Sequence, residues 1–197
     1  MALRRSITLI HISLILILTS CGFDESKPAT SADVIQFRQV LSVGTSLSGL
    51  EFDGVRYENI DCLNPATKVE PAKVITACGK DDDFVYLLSP TFLDGNSIES
   101  AKAEFFEDDV WIVSISFDAN GTKKFGEITS RVTSLAAPQN QIAISSGNLV
   151  ITAPSINEEI LEGNAQITGN FTQQEAESLA NSIKNREPLP DFLRKRQ

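Results

Sequence analysis

Residues 111–138 read WIVSISFDANGTKKFGEITSRVTSLAAP, and two periods meet inside this stretch. Trp111, Val113, Ile115 and Phe117 alternate with Ser114, Ser116 and Asp118, which predicts a half-buried strand with one polar face. Asp118 to Gly121 is expected to turn the chain. From Thr122 onward Phe125, Ile128, Val132 and Leu135 recur at helical spacing, and Ala136-Ala137-Pro138 ends the helix.

Working outward, Gln141 to Ile151 predicts two strands around Ser146-Gly147-Asn148, because a Gly-Asn pair suits a tight hairpin turn that needs positive φ. A further apolar stretch follows at Ile156 to Ile167. Thr172-Gln173-Gln174-Glu175 has the form of a capping box, and Ala176, Leu179, Ala180 and Ile183 then share one helix face. Glu187-Pro188-Leu189-Pro190 stops that helix. Upstream, Val34–Val43 and Phe84–Leu88 are expected strands, Gly44–Gly54 is turn-rich, and Lys80-Asp81-Asp82-Asp83 is expected to be a solvated turn. Asp61 to Lys80 has little periodicity and is expected to be a loop. The order implies an α+β fold, a mainly antiparallel sheet with two packed helices.

The amino terminus, MALRRSITLIHISLILILTSC, has the layout of an export signal: Arg4 and Arg5, an apolar core from Ile7 to Leu18, then Leu18-Thr19-Ser20-Cys21. That core falls short of the roughly 20 apolar residues a membrane span needs. The cleavage region resembles the lipobox of bacterial lipoproteins, which implies lipid attachment at Cys21, with acyl chains such as palmitate holding the protein on the extracytoplasmic face of the cell membrane. An ordinary secretory signal followed by a chance cysteine is the alternative. Gly22 to Ser31 looks like a flexible tether.

Two other cysteines, Cys62 and Cys78, remain. Outside the cytoplasm such a pair normally becomes a disulfide; free thiols or a thiolate metal pair are the alternatives. The single histidine, His11, lies in the signal, which excludes a Ser-His-Asp triad, a Cys-His dyad and histidine-ligated zinc from the exported part. The net charge is -9, and loss of Arg4 and Arg5 with residues 1–20 would make it more negative by two. So acidic a chain is not expected to bind nucleic acid, whose phosphates demand a basic face.

The downstream order of motifs resembles the head subdomain of the large periplasmic domain of SecD, a protein-export accessory. The resemblance rests on Gly121, Phe125 and Thr129 in the first helix, Ala143-Ile144, Gly147-Asn148 and Ala153-Pro154. It continues through Ile160, Gly163, Ala165, Ile167, Gly169, Phe171 and Thr172, then Glu175-Ala176, Leu179-Ala180 and Leu189-Pro190. Leu87–Ile98 and Gln36-Phe37-Arg38 are similar to segments that precede the head. The turn is Gly147-Asn148 where Asp-Gly is usual, and Glu187 replaces a glycine before the final Leu-Pro. The expected division is 1–20 signal, 21–32 tether, 33–90 an N-terminal strand with the disulfide-pinned segment, 91–190 the head-like domain and 191–197 a basic tail. The family's membrane helices and the later half of its base subdomain are expected to lie outside this sequence. In that family the periplasmic domain is thought to hold an emerging preprotein.

The resemblance therefore implies a non-enzymatic binding module without cofactors, which holds polypeptide or docks on the Sec translocon. The expected surface is the hairpin and its following turn, Asn148, Leu149, Thr152, Pro154 and Ser155, where an exposed sheet edge would add a peptide strand. A small-ligand or ion-binding lipoprotein is the alternative, on the acidic runs Asp81-Asp82-Asp83 and Glu107-Asp108-Asp109, although neither has the spacing of a calcium loop. Carboxylate catalysis through Glu158-Glu159 or Glu104 and Glu107 has little support. Phe105, Phe106 and Trp111 are expected in the core rather than as a sugar platform.

Overall fold

A computed structural model describes residues 35–45, 50–57, 60–66, 68–81, 83–106 and 110–194. The signal, Cys21, the tether, Asp82, residues 107–109 and residues 195–197 lie outside the described residues.

The alternating segment is a strand, β8 (Val110–Phe117), at the centre of an antiparallel three-stranded sheet. Its neighbours are β7 (Ile98–Phe106) and β11 (Asn164–Phe171). Val113, Ile115 and Phe117 are buried, while Ser114 and Ser116 stand on the opposite face. The helix starts earlier than expected: Asp118 is the N-cap of α1 (Ala119–Val132), its carboxylate accepting the Gly121 N–H at 2.7 Å. An aspartate in the N-cap satisfies a donor the first turn leaves open. The helix ends three residues before Leu135, which packs on the core from the turn that follows. The second helix, α2 (Gln173–Asn185), carries the expected capping box between Thr172 and Glu175 and buries Ala176, Leu179, Ala180 and Ile183 against β7 and β8.

The second sheet contains β1 (Gln36–Thr45), β4 (Ile75–Gly79), β5 (Phe84–Leu88), β6 (Leu93–Asp94), β9 (Ile142–Ser146) and β10 (Leu149–Thr152). It joins residues from the 33–90 and the 91–190 segments. β1 pairs with β9 along Gln36–Gln39 and with β5 along Val40–Thr45, so five strands close into a ring in the order β1-β5-β4-β10-β9. A cluster of Val40, Ala77, Tyr86, Leu88, Ala143 and Val150 takes residues from all five strands of the ring. Few strands enclose little space, which suits the small residues Ala77 and Ala143.

Arg38 pairs across from Ala143 and is fully buried. Its guanidinium donates to the main-chain oxygens of Lys73 (2.8 Å), Ser89 (2.7 Å) and Glu70 (3.2 Å) and to Gln36 Oε1 (3.0 Å). Burial lowers it to about 10, so it stays charged at neutral pH.

Two expectations fail here. The Asp61–Lys80 loop contains β4, which shows no alternation because Ala77, Cys78 and Gly79 are all buried. The turn-rich Gly44–Gly54 segment contains β2 (Leu50–Phe52), which forms a hairpin with β3 (Val55–Tyr57) across Asp53 and Gly54, both at positive φ. An Asp-Gly pair is the sequence signal for such a turn. Cys62 and Cys78 form a disulfide that ties the 60–66 loop to β4. Beyond Pro190, Asp191–Arg194 form a 3-10 turn that buries Leu193 in the main core.

Candidate functional site

The motif Gly121, Phe125 and Thr129 shapes one wall of a groove. At Gly121 an added Cβ would lie 3.0 Å from Phe117 Cβ and from Ser97, so the first turn of α1 sits close to β8 with no spare room for a side chain. One turn on, Phe125 reaches the floor of a hollow of about 370 Å³ together with Ile142 and Ile144 of β9. Another turn on, buried Thr129 donates to Phe125 O (2.8 Å) and accepts the Ile160 N–H (3.0 Å). That bond ties the 156–163 segment to α1, and Ile156 and Ile160 of this segment face the hollow. Gly163, at φ +68, then turns the chain into β11; a Cβ there would collide with Thr122.

β11 forms the remaining side through Asn164, Ala165, Gln166 and Thr168. It is the end strand of its sheet, paired with β8 alone. The hollow is therefore apolar at its base and bordered by an open strand edge.

Of the residues the sequence singles out, Pro154 and Ser155 line this hollow. Thr152 stands at its end, its hydroxyl 3.5 Å from that of Thr168, and beyond it lies a polar hollow with Lys80 and Asp81. Lys80 is not a solvated turn residue: its side chain is 11% exposed, 2.7 Å from Asp81 and over the Phe171 ring. Asn148 and Leu149 belong elsewhere. Asn148 donates its N–H to Ala66 O (3.1 Å) and accepts from Cys78 N–H (2.8 Å), and Leu149 is buried. β10 lies between β4 and β9, so the hairpin has no open edge for an added strand. The strand edge at the hollow is that of β11; the alternate polar residues at 164, 166 and 168 mark its exposed face in the sequence, as Ser114 and Ser116 do for the central β8, and not its place at an edge.

The acidic groups form no such site. Glu104 accepts from the Ser114 hydroxyl at 2.6 Å on the outer face of the sheet, and Glu158 and Glu159 are exposed. Among the described residues no group of three His, Cys, Asp or Glu is placed to hold a metal. Phe105 and Phe106 are not core residues: they are 58% and 51% exposed at the tip of β7–β8, with Phe105 stacked at a tilt on Trp111.

The family model of the SecDF P1 head subdomain matches residues 72–186. The protein translocase subunit SecD of Streptomyces coelicolor is 32% identical over 139 residues, 65% of this chain and 24% of that protein. SecD of Acidaminococcus fermentans is 35% identical over 113 residues, 56% of this chain and 26% of that protein. This chain thus spans about a quarter of the length of the curated relatives it matches. The crystal structure of SecDF in its super-membrane-facing form has a TM-score of 0.51 at 24% identity, covering 81% of this chain and 20% of that one, which shows a shared fold.

Proposed function

We propose a polypeptide-holding role in protein export from one premise: the chain belongs to the SecDF P1 head subdomain family. The observation that carries the proposal is the groove itself, an apolar floor of Phe125, Ile142 and Ile144 beside the open edge of β11. Such a surface can hold an extended chain without chemistry, and the role is non-enzymatic. The partners are exported polypeptides and the Sec translocon with which the SecD relatives are named. No described helix is long and apolar enough to cross a membrane. Attachment through lipid on Cys21, after removal of residues 1–20, is part of the proposal and rests on the Leu-Thr-Ser-Cys sequence alone. The extracytoplasmic location, which rests on the export-signal layout of residues 1–21, and the reading of 21–32 as a tether, which rests on its composition, are proposals too.

A second reading, a small apolar ligand in the same hollow, is favoured by its volume, near the lower end of the roughly 300–1,000 Å³ of ligand sites. One experiment separates the two. The full chain is titrated into a fluorescent unfolded polypeptide and into an apolar dye, each also with Ser155→Trp, which fills the hollow. Holding predicts polypeptide binding that Ser155→Trp weakens; dye binding without polypeptide binding overturns it.

A further inference from the structure

The two sides of β11 differ in chemistry. Ala165 and Ile167 turn inward, half-buried and buried, whereas Asn164, Gln166 and Thr168 are exposed. The outward side chains of Asn164 and Gln166 continue a polar sheet face that includes Ser100, Lys102, Ser114 and Ser116. The main chain alternates as well. Phe117 N–H donates to Gly163 O at 2.9 Å, and the register places Ala165 opposite Ile115 and Ile167 opposite Val113. Alternation along an antiparallel ladder therefore turns the N–H and C=O of residues 163, 165 and 167 toward β8, and those of Asn164 and Gln166 toward the groove. Among the described residues those groups have no main-chain partner.

A strand laid along this edge would take those hydrogen bonds and continue the pleat. One set of its side chains would drop over the apolar hollow, and the other would lie flush with Asn164 and Gln166.

We propose that the held segment binds as an added strand on β11, so that its preferred sequence alternates apolar and polar residues rather than running continuously apolar. This rests on the holding role above and goes on to name its substrate class.

The test uses the full chain and two fluorescent ten-residue peptides of identical composition, lysine at each end. One alternates Val or Ile with Thr or Ser; the other gathers the apolar residues into one block. The alternating peptide is expected to bind at least about tenfold more tightly, since only it makes the edge hydrogen bonds and fills the hollow together. N-methylation of one alternate set of its nitrogens should abolish binding while the other set is tolerated. Gln166→Pro, which removes an outward N–H on an edge strand where proline is tolerated, should weaken binding by about tenfold with the fold intact by circular dichroism. Equal binding of the two peptides overturns strand addition and leaves the holding role standing. Alternating sensitivity to N-methylation that Gln166→Pro does not alter overturns β11 as the edge. Binding of neither peptide overturns both.

Discussion

Thr129 and Ile160 are joined by one hydrogen bond, the Ile160 N–H to the Thr129 hydroxyl at 3.0 Å, which ties helix α1 to the segment that leads into β11. Helix α1 and the 157–163 segment are 31 positions apart at this contact. Thr129→Val keeps the shape and removes the acceptor, leaving the Ile160 N–H without its protein partner. A loss of about 1–3 kcal/mol is expected by chemical denaturation, with weaker polypeptide binding, and Thr129→Ser should retain most of both. Equal stability of Thr129→Val and wild type would contradict this.

Gly163 and Gly54 both hold positive φ, at +68 and +73, but differ in surroundings. An alanine at Gly54 meets open space and should cost about 1–2 kcal/mol from the backbone alone. At Gly163 it also collides with Thr122, so the cost should be clearly larger. Equal melting temperatures for the two variants would show that the 157–163 segment yields without penalty.

Arg38 ties β1 to the main chain at Glu70, Lys73 and Ser89. Arg38→Met leaves those oxygens buried with a donor lost, and a loss of about 3 kcal/mol or more is expected. Lysine is a poor substitute because it lacks the planar fork that reaches several acceptors at once. Full stability of Arg38→Lys would contradict the geometry described.

These positions show why some of the molecule is legible in its sequence and some is not. β8, α1 and α2 each bury one face, so their periods of 2 and 3.6 are visible in Trp111–Asp118, Phe125–Val132 and Ala176–Ile183. β4 is buried along Ala77, Cys78 and Gly79 and leaves no such pattern. That β10 is an inner strand depends on β4, a partner from a distant part of the chain, so local sequence allows an open edge that the fold closes. The groove is likewise assembled from α1, β9, the 154–160 segment and β11, and only Pro154 and Ser155 of its lining stand out as a turn would. The family motif marks Phe125, Ile160 and Ala165 without saying that they meet.

The capping box of α2 gives a pH dependence with a definite sign. The Thr172 N–H, and then its hydroxyl, hold the Glu175 carboxyl below its ordinary value. A carboxylate favoured by the fold stabilises above its unfolded pKa, and that contribution is lost as pH falls through the folded value. The stability gap between wild type and Glu175→Ala should thus be widest at neutral pH, within about 1 kcal/mol, and close in acid below the carboxylate range. A gap that grew in acid would contradict the cap.

The disulfide joins cysteines 16 positions apart and holds the 60–66 segment, whose Ala66 carbonyl meets the β9–β10 turn at Asn148. Reduction should cost about 3 kcal/mol in the chain-entropy model, read as a lower unfolding midpoint in reductant. Cys62→Ala/Cys78→Ala should be insensitive to the reductant.

The holding role is tested most directly by photocrosslinking in cells, with the reactive group placed in turn at Ser155 and Gln166 in the groove and at Leu63 on the far-exposed disulfide loop. Adducts to many exported polypeptides from Ser155 and Gln166 but not from Leu63 are the predicted result. No polypeptide adducts from either groove position, or the same adducts from all three, would contradict it.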